Sequence, residues 1–226
     1  MTLTTTLRCA LVTTLAAALL RPVLATAQPA CTAAPSVRDA TPAQVRSHFK
    51  AQKKTVLTFM GYSGAGYQDP AAMLRAAERV LARYQPAGTV VNSGATAEGI
   101  GAVYELAVQR GFATSGIVST QARDKAVALA PCVQQVFFVQ DSSWGGKLPG
   151  GQGLSPTSAA MVDSSDVVVA IGGGEVSRDE FLAARRAGKK TRFIAADMKH
   201  KPAIDKALQK GLPAPSDFRG ALAAAL

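Results

Sequence analysis

Short apolar runs that alternate with amphipathic segments are the feature that most constrains this fold. Six runs are predicted to be strands, at residues 55–60, 89–94, 112–119, 133–140, 166–171 and 191–196. They are apolar at most positions instead of every second one, which is typical of parallel strands buried on both faces. The sequence therefore predicts an α/β fold, a single doubly wound domain with a mostly parallel sheet, over residues 55–226.

Helical patterns fill the gaps between these strands. They are predicted at residues 41–54, 69–84, 98–110, 123–129, 156–164, 177–187 and 202–210, with a last turn within 218–226. The first begins at Thr41 and Pro42, residue types that cap and open helices. Because that helix precedes the first predicted strand, residues 28–54 are expected to form an N-terminal extension of the domain.

Residues 1–27 have the layout of a secretory signal peptide. Arg8 precedes an apolar run over residues 9–20, and the small residues Ala25 and Ala27 follow as a cleavage site. The apolar run is shorter than the ~20 residues that span a bilayer. The expected product is a periplasmic or secreted protein without stable membrane insertion after cleavage.

Two cysteines remain after such a cleavage, Cys31 and Cys132. Cysteines of an exported protein can pair, and this bridge would close a loop of about 100 residues. The sequence does not show whether the two residues come close enough, so paired and free cysteines both stay open.

The charge of the chain limits the classes of partner. The formal net charge is +10 over 226 residues, which favours anionic ligands. Lysines and arginines are scattered without an aromatic-interleaved basic run, so no nucleic-acid partner is expected. His48 and His200 are far apart and lack Cys/His spacing, so neither a metal nor a resident cofactor is expected.

Three glycine-bearing turns follow predicted strands, at residues 61–66, 92–101 and 171–177. Ligands of doubly wound sheets bind at this carboxyl edge, where glycines admit a phosphate and helix N-terminal amides attract it. None of the turns is a P-loop or the G-x-G-x-x-G dinucleotide motif. The predicted ligand-binding residues are Gly61, Ser63, Gly64, Asn92, Ser93, Gly94, Gly172, Gly173, Gly174, Ser177 and Arg178.

A glycine- and proline-rich segment at residues 141–158 is too long for a simple connection and is predicted to be a binding loop or lid. It contains Trp144, the only tryptophan of the chain. That side chain could stack on a base or close the loop as a hydrophobic latch.

The stretches VLTFMGYSGAGYQDP, VVNSGATAEGIGAVYELAVQRGFATSGIVS and MVDSSDVVVAIGGGEVSRDEF together resemble the LOG or lysine decarboxylase-like family of the SLOG superfamily. The resemblance covers residues 55–196. It implies a Rossmann-like fold that binds nucleotide or phosphoribosyl ligands. It also implies a metal-free, usually dimeric phosphoribohydrolase, which cuts the N-glycosidic bond of nucleoside monophosphates.

The family's motif Pro-Gly-Gly-x-Gly-Thr-x-x-Glu matches here at Gly173, Gly174, Ser177 and Glu180. The resemblance therefore implies that Glu180 is the catalytic residue. The family's Arg-Lys pair is replaced by Thr157-Ser158, so the arginine partner of the glutamate is absent.

The residues around Glu180 leave several functions open. Ser177 and Glu180 also fit a capping box, which needs no ligand. The preferred hypothesis is ligand binding without hydrolysis. One alternative is a divergent N-glycosidase that uses Glu180 with a replacement cation from Arg178, Lys147 or Arg123. The other is a non-enzymatic interaction protein of the cell envelope.

Overall fold

Seven parallel strands form one sheet in the computed structural model, which describes residues 1, 31 and 35–226. The strands are β1 (Ser36–Asp39), β2 (Thr55–Gly61), β3 (Thr89–Ser93), β4 (Ala113–Ser119), β5 (Gln135–Val139), β6 (Val167–Ile171) and β7 (Lys190–Ile194). Their order across the sheet is β1-β5-β4-β3-β2-β6-β7, and every pairing is parallel. The predicted doubly wound α/β domain with a parallel sheet is confirmed.

Eight α-helices lie in the described part of the chain. They are α1 (Pro42–Gln52), α2 (Pro70–Leu81), α3 (Val103–Gln109), α4 (Gln121–Asp124), α5 (Pro156–Ser164), α6 (Glu175–Arg186), α7 (His200–Gln209) and α8 (Gly220–Ala223). Two 3-10 turns, Pro86–Gly88 and Gly99–Ala102, precede β3 and α3. No helix of residues 35–226 is long and apolar enough to cross a membrane.

The α4 helix is shorter than the sequence pattern predicts. Ala126 adopts a left-handed φ of 51°, and the amide of Val127 bonds back to the carbonyl of Ala122 at 2.8 Å. The amide of Ala126 bonds to the carbonyl of Arg123 at 3.0 Å. This pair of bonds is a Schellman closure, which ends a helix. Residues 126–129 therefore leave the helix and turn toward the edge of the sheet.

Strand β2 shows why its sequence is apolar at successive positions. Leu57 and Phe59 pack with Met73 of α2 on one face, whereas Val56 and Met60 pack on the opposite face. That second face is covered by α1, α5 and α6. Because successive side chains of a strand point to opposite faces, a sheet with two covered faces has few positions for polar residues.

The N-terminal segment belongs to the same sheet. Strand β1 pairs with β5, and α1 packs against α5. Thr41 caps α1 in a reciprocal capping box with Gln44, as its sequence indicates. The predicted signal peptide, residues 1–27, lies outside the described residues apart from Met1.

Cys31 is joined to Cys132 by a disulfide, with the two Cα atoms 5.0 Å apart. Cys132 is almost fully buried beside Val133 and Val136, at the end of the sheet that carries β1. The bond spans 101 residues of sequence, so it ties the N-terminal segment to the connection before β5. This resolves the question that the sequence left open.

We expect Cys31→Ser to lower the free energy of unfolding by up to about 4–5 kcal/mol, because the bridge restricts a loop of about 100 residues in the unfolded chain. Chemical denaturation with and without a thiol reductant measures the effect. The reductant should destabilise the wild-type protein by the same amount and leave Cys31→Ser unchanged. Equal reductant sensitivity of both proteins would contradict the assignment.

Candidate functional site

A cavity of about 440 Å³ opens at the carboxyl edge of the sheet, beside the point where β2 pairs with β6. The chain runs from β2 outward through β3 to β5, and then crosses to β6 on the other side of β2. This is the reversal in strand order at which doubly wound sheets bind ligands. The cavity is lined by Phe59, Met60, Gly61, Ser63, Gly64, Ser93, Gly94, Thr96, Glu98, Ile100, Ile117, Val118, Ser119, Val127, Trp144, Thr157, Met161, Val176, Ser177 and Glu180.

The turn after β2 enters the cavity through Gly61, Ser63 and Gly64. Gly61 is held against the neighbouring strand, because a Cβ there would overlap the Tyr67 hydroxyl and approach the carbonyl oxygen of Ile171 to 2.8 Å. The Tyr67 hydroxyl donates to that same carbonyl at 2.7 Å. Gly61 is therefore required by the packing of β2 on β6, whatever occupies the cavity.

The turn after β3 contributes Ser93 and Gly94, but not Asn92. Asn92 is fully buried, and its side-chain amide donates to the Thr58 hydroxyl at 3.1 Å and contacts the Met161 sulfur at 3.1 Å. Asn92 thus faces α5 and belongs to the packing beneath the site. Ser63 and Thr96 join the first two turns through their hydroxyls, which lie 3.3 Å apart.

The glycines of the third turn, Gly172, Gly173 and Gly174, do not line the cavity. A Cβ at Gly172 would meet the ring of Tyr62, and the carbonyl of Gly173 accepts a bond of 3.1 Å from the amide of Leu222 in α8. The C-terminal segment therefore covers this turn. Gly174 is the N-cap of α6 and lines no part of the cavity.

Helix α6 reaches the cavity through its first two turns, at Val176, Ser177 and Glu180. The helix begins at Glu175, so Ser177 lies inside it and the predicted capping box is not formed. The Ser177 hydroxyl instead donates to the carbonyl of Gly61 at 2.8 Å. Gly174 provides no side-chain cap, and the first-turn amides have no acceptor within the helix.

The cations considered as replacements for the missing arginine lie elsewhere. Arg178 pairs with Asp179 at 2.9 Å, and Arg123 pairs with Asp39 at 3.1 Å. Lys147 donates its backbone amide to Asp179 at 3.2 Å. Within residues 35–226, no lysine or arginine lines the cavity, whereas two carboxyl side chains do.

Glu180 is buried, 6% exposed, and its Oε1 accepts a hydrogen bond of 2.6 Å from the Ser158 hydroxyl. The Ser158 oxygen in turn accepts a hydrogen bond of 2.7 Å from the amide of Gly146. Burial raises the pKa of Glu180 to about 7, with a further increase from Asp179, although the bond from Ser158 opposes the shift. The side chain that hydrogen-bonds Glu180 is thus a serine, one of the two residues that replace the Arg-Lys pair of the family's motif.

Ser93 and Thr157 line the cavity, but their hydroxyl oxygens are buried and have no hydrogen-bond partner within the described residues. The two residues are 1% and 4% exposed. Buried polar groups in proteins are nearly always hydrogen-bonded, so each of these hydroxyls calls for a further partner such as an ordered water. Thr157 and Ser158 depart from the family's motif, but their residue types alone do not indicate that either lies at the site.

The loop after β5 is fixed at both ends. The Asp141 carboxylate accepts hydrogen bonds from the backbone amides of Ser143 and Thr157, both at 2.9 Å. Burial favours a higher pKa for Asp141, but these bonds outweigh it and lower the pKa overall. Farther along, the amide of Ser155 bonds to the carbonyl of Gly146 at 2.8 Å. Between these anchors, Trp144 lines the cavity and remains 44% exposed.

No group of three or more histidine, cysteine or acidic side chains that could hold a metal ion is present among residues 35–226. The polar groups of the cavity are hydroxyls, two separate carboxyl groups and backbone amides. Such a set can hydrogen-bond a ligand's hydroxyl, amino or phosphate groups, and it can exchange a proton at Glu180.

No protein family model matches this chain, and no curated protein sequence matches it. Among solved structures, the structural-genomics target TM1055 is 22% identical with a TM-score of 0.44, over 61% of this chain and 72% of its own. Two structures of the molybdenum cofactor carrier protein from Chlamydomonas reinhardtii are 19% and 18% identical, with TM-scores of 0.45 and 0.44. They cover 76% of this chain and 96% and 95% of their own.

The two glycines Gly61 and Gly94 differ sharply in the space around them. We expect Gly61→Ala to destabilise the protein by about 1–3 kcal/mol, because the added methyl group meets the Tyr67 hydroxyl and a backbone oxygen. Gly94→Ala is the matched control, since a Cβ there meets nothing within 4 Å. Urea denaturation compares the two variants, and equal destabilisation would contradict the packing role of Gly61.

Glu180→Gln should alter how stability depends on pH. The folded-state pKa of about 7 lies above the ordinary value of 4.5, so Glu180 penalises folding increasingly as pH rises from 4.5 to 7. The penalty at higher pH is roughly 3 kcal/mol and is absent below pH 4.5. Glu180→Gln should therefore stabilise the protein at pH 8 and have little effect at pH 4.

Thermal or urea denaturation of both proteins across this pH range measures the difference. Ser158→Ala serves as a second variant, because removing its hydrogen bond should raise the pKa of Glu180 further. A difference between wild type and Glu180→Gln that stays constant from pH 4 to 8 would show that Glu180 titrates normally.

Proposed function

We propose that the protein binds a nucleotide-like or phosphoribosyl-like ligand in this cavity and does not hydrolyse it. The observation that carries the proposal is the meeting of the first two glycine turns and the first turn of α6 around one cavity. The motif resemblance points to the same class of ligand. The site differs from the sequence-based expectation in that Gly172, Gly173 and Gly174 do not line the cavity, whereas Ser177 does.

The uncharged donors of the site provide the attraction for a phosphate. The amides of Val176 and Ser177 lie in the first turn of a twelve-residue helix, where the helix dipole favours negative charge. The hydroxyls of Ser63 and Thr96, two lining residues that are not fully buried, can bind ribose hydroxyls or phosphate oxygens. Aliphatic side chains of Ile117, Val118, Val127 and Met161 provide the apolar walls that suit a base.

The environment of Glu180 supports binding without hydrolysis. Cleavage of an N-glycosidic bond develops positive charge on the sugar, which an ionised carboxylate stabilises. With a pKa of about 7 and no cation among the described lining residues, Glu180 is only partly ionised at neutral pH. The hydrogen bond from Ser158 also occupies one of its two oxygens.

The same pKa favours one alternative function. A carboxylic acid that is partly protonated at neutral pH suits general acid catalysis, in which it donates a proton to a leaving group. Glu180 lies at the cavity and meets that condition. A divergent N-glycosidase with Glu180 as the proton donor is therefore the second candidate.

Calorimetry and chromatography with a panel of nucleoside 5′-monophosphates and ribose 5-phosphate test both candidates. We expect saturable binding of at least one compound and no release of free base. Gly94→Val should abolish binding while leaving the fold intact, since the position lines the cavity and has open space around it. Binding that survives in Gly94→Val, or no binding by any compound, would contradict the proposal.

Release of free base that disappears in Glu180→Gln would establish the glycosidase instead. Glu180→Asp is the matched control, because it keeps the acid but moves it back along the side chain. If base release is unaffected by both substitutions, the activity does not arise from Glu180.

A further inference from the structure

Trp144 is a large aromatic side chain that remains partly exposed although its backbone is held in place. On one side, the Gly145 amide bonds to the Ser143 hydroxyl at 3.2 Å, and Ser143 is itself bonded to Asp141. On the other side, Gly146 bonds to Ser158 at 2.7 Å. A hydrophobic latch would bury the ring against the protein, yet 44% of Trp144 is exposed.

The glycines next to Trp144 hold this loop close to α6. Gly145 and Gly146 have φ values of 121° and 87°, which side-chain-bearing residues rarely adopt. A Cβ at Gly145 would lie 2.9 Å from the Ser158 hydroxyl and 3.0 Å from Val176. The indole therefore stands at the cavity on a backbone fixed by close packing, which is the condition for a rigid binding surface.

Lys125 contacts the Trp144 ring. Its ammonium nitrogen lies 5.6 Å from the centroid of the Trp144 ring, within the range of a cation–π contact. Lys125 itself does not line the cavity, whereas Trp144 and Val127 do. Lys125 and Val127 lie on either side of Ala126, in the Schellman closure that ends α4. The same turn therefore provides both the cation that contacts the Trp144 ring and part of the apolar wall.

We infer that Trp144 is a stacking platform for a flat heteroaromatic ring, which makes the ligand a base-bearing nucleotide and not a bare sugar phosphate. This inference rests on the proposed function and adds the class of ligand to it. A ring on the indole would have the apolar wall of Val127 and Val118 beside it and the hydroxyls of Ser63 and Thr96 at the same cavity.

Because Trp144 is the only tryptophan in the sequence, its fluorescence reports on this platform directly. We expect AMP to quench the emission saturably, with the dissociation constant that calorimetry gives. Ribose 5-phosphate, which lacks a base, should bind more weakly and leave the emission nearly unchanged. AMP binding by calorimetry without any change in emission would overturn the inference.

Variants provide the second measurement. Trp144→Ala should weaken AMP binding about tenfold or more, since base–aromatic stacking is lost, and should leave the affinity for ribose 5-phosphate unchanged. Trp144→Phe should keep most of the affinity. Leu208→Ala, at an exposed position that does not line the cavity, is the control for loss of surface apolar area. Thermal unfolding checks that each variant is folded.

The outcomes separate this inference from the function on which it rests. If Trp144→Ala binds AMP as tightly as the wild type does, the platform is refuted and ligand binding stands. An equal loss of AMP and ribose 5-phosphate affinity in Trp144→Ala also refutes it, because the effect would not depend on a base. If neither compound binds to the wild-type protein, the proposed function fails for these ligands, and the inference fails with it.

Discussion

The pairing of β2 with β6 determines where the cavity lies and which residues reach it. These strands are far apart in sequence but adjacent in the sheet, with Gly61 opposite Ile171. Tyr67 bonds to the Ile171 carbonyl at 2.7 Å, and Ser177 bonds to the Gly61 carbonyl at 2.8 Å. Both bonds satisfy carbonyls at the carboxyl edge, and the bond from Ser177 fixes α6 to the end of β2. Glu180, one helical turn after Ser177, is thereby placed beside the cavity.

The net positive charge of the protein is not matched by cationic side chains at its cavity. The chain carries a net charge of +10, but no cation of the described residues lines the cavity. Arg178, which was predicted to bind the ligand, and Arg123, which was named as a replacement cation for Glu180, are each paired with an aspartate. Any attraction for a phosphate inside the cavity must therefore come from peptide dipoles and hydroxyls, while the surface charge acts at longer range.

The parallel sheet was predictable because central strands such as β2 and β6 are buried on both faces and hence mostly apolar. Strand β1 was not, because its sequence SVRD is polar and exposed at the edge of the sheet. Asn92 and Ser93 are both polar residues at the end of β3, yet only Ser93 lines the cavity. Residue type does not indicate which of two successive side chains faces a ligand and which faces a helix.

Other features of the site depend on contacts that are remote in sequence. The turn at Gly172 and Gly173 looks like a phosphate loop, but Tyr62 and the C-terminal helix α8 cover it. Likewise Ser177 and Glu180 have the spacing of a capping box, although the helix begins earlier, at Glu175. In both cases the sequence contains the local pattern, but contacts with segments that are distant in sequence determine what those residues do.

The bond between Ser158 and Glu180 gives the site two states that need no movement of heavy atoms. When Glu180 is ionised, the Ser158 hydroxyl donates to it at 2.6 Å and accepts the Gly146 amide. When Glu180 is protonated, the acid can donate to the same serine oxygen, which still accepts from Gly146. An arginine in place of Ser158 would hold the carboxylate in its charged form. A serine instead leaves the proton balance of Glu180 to burial and to whatever occupies the cavity.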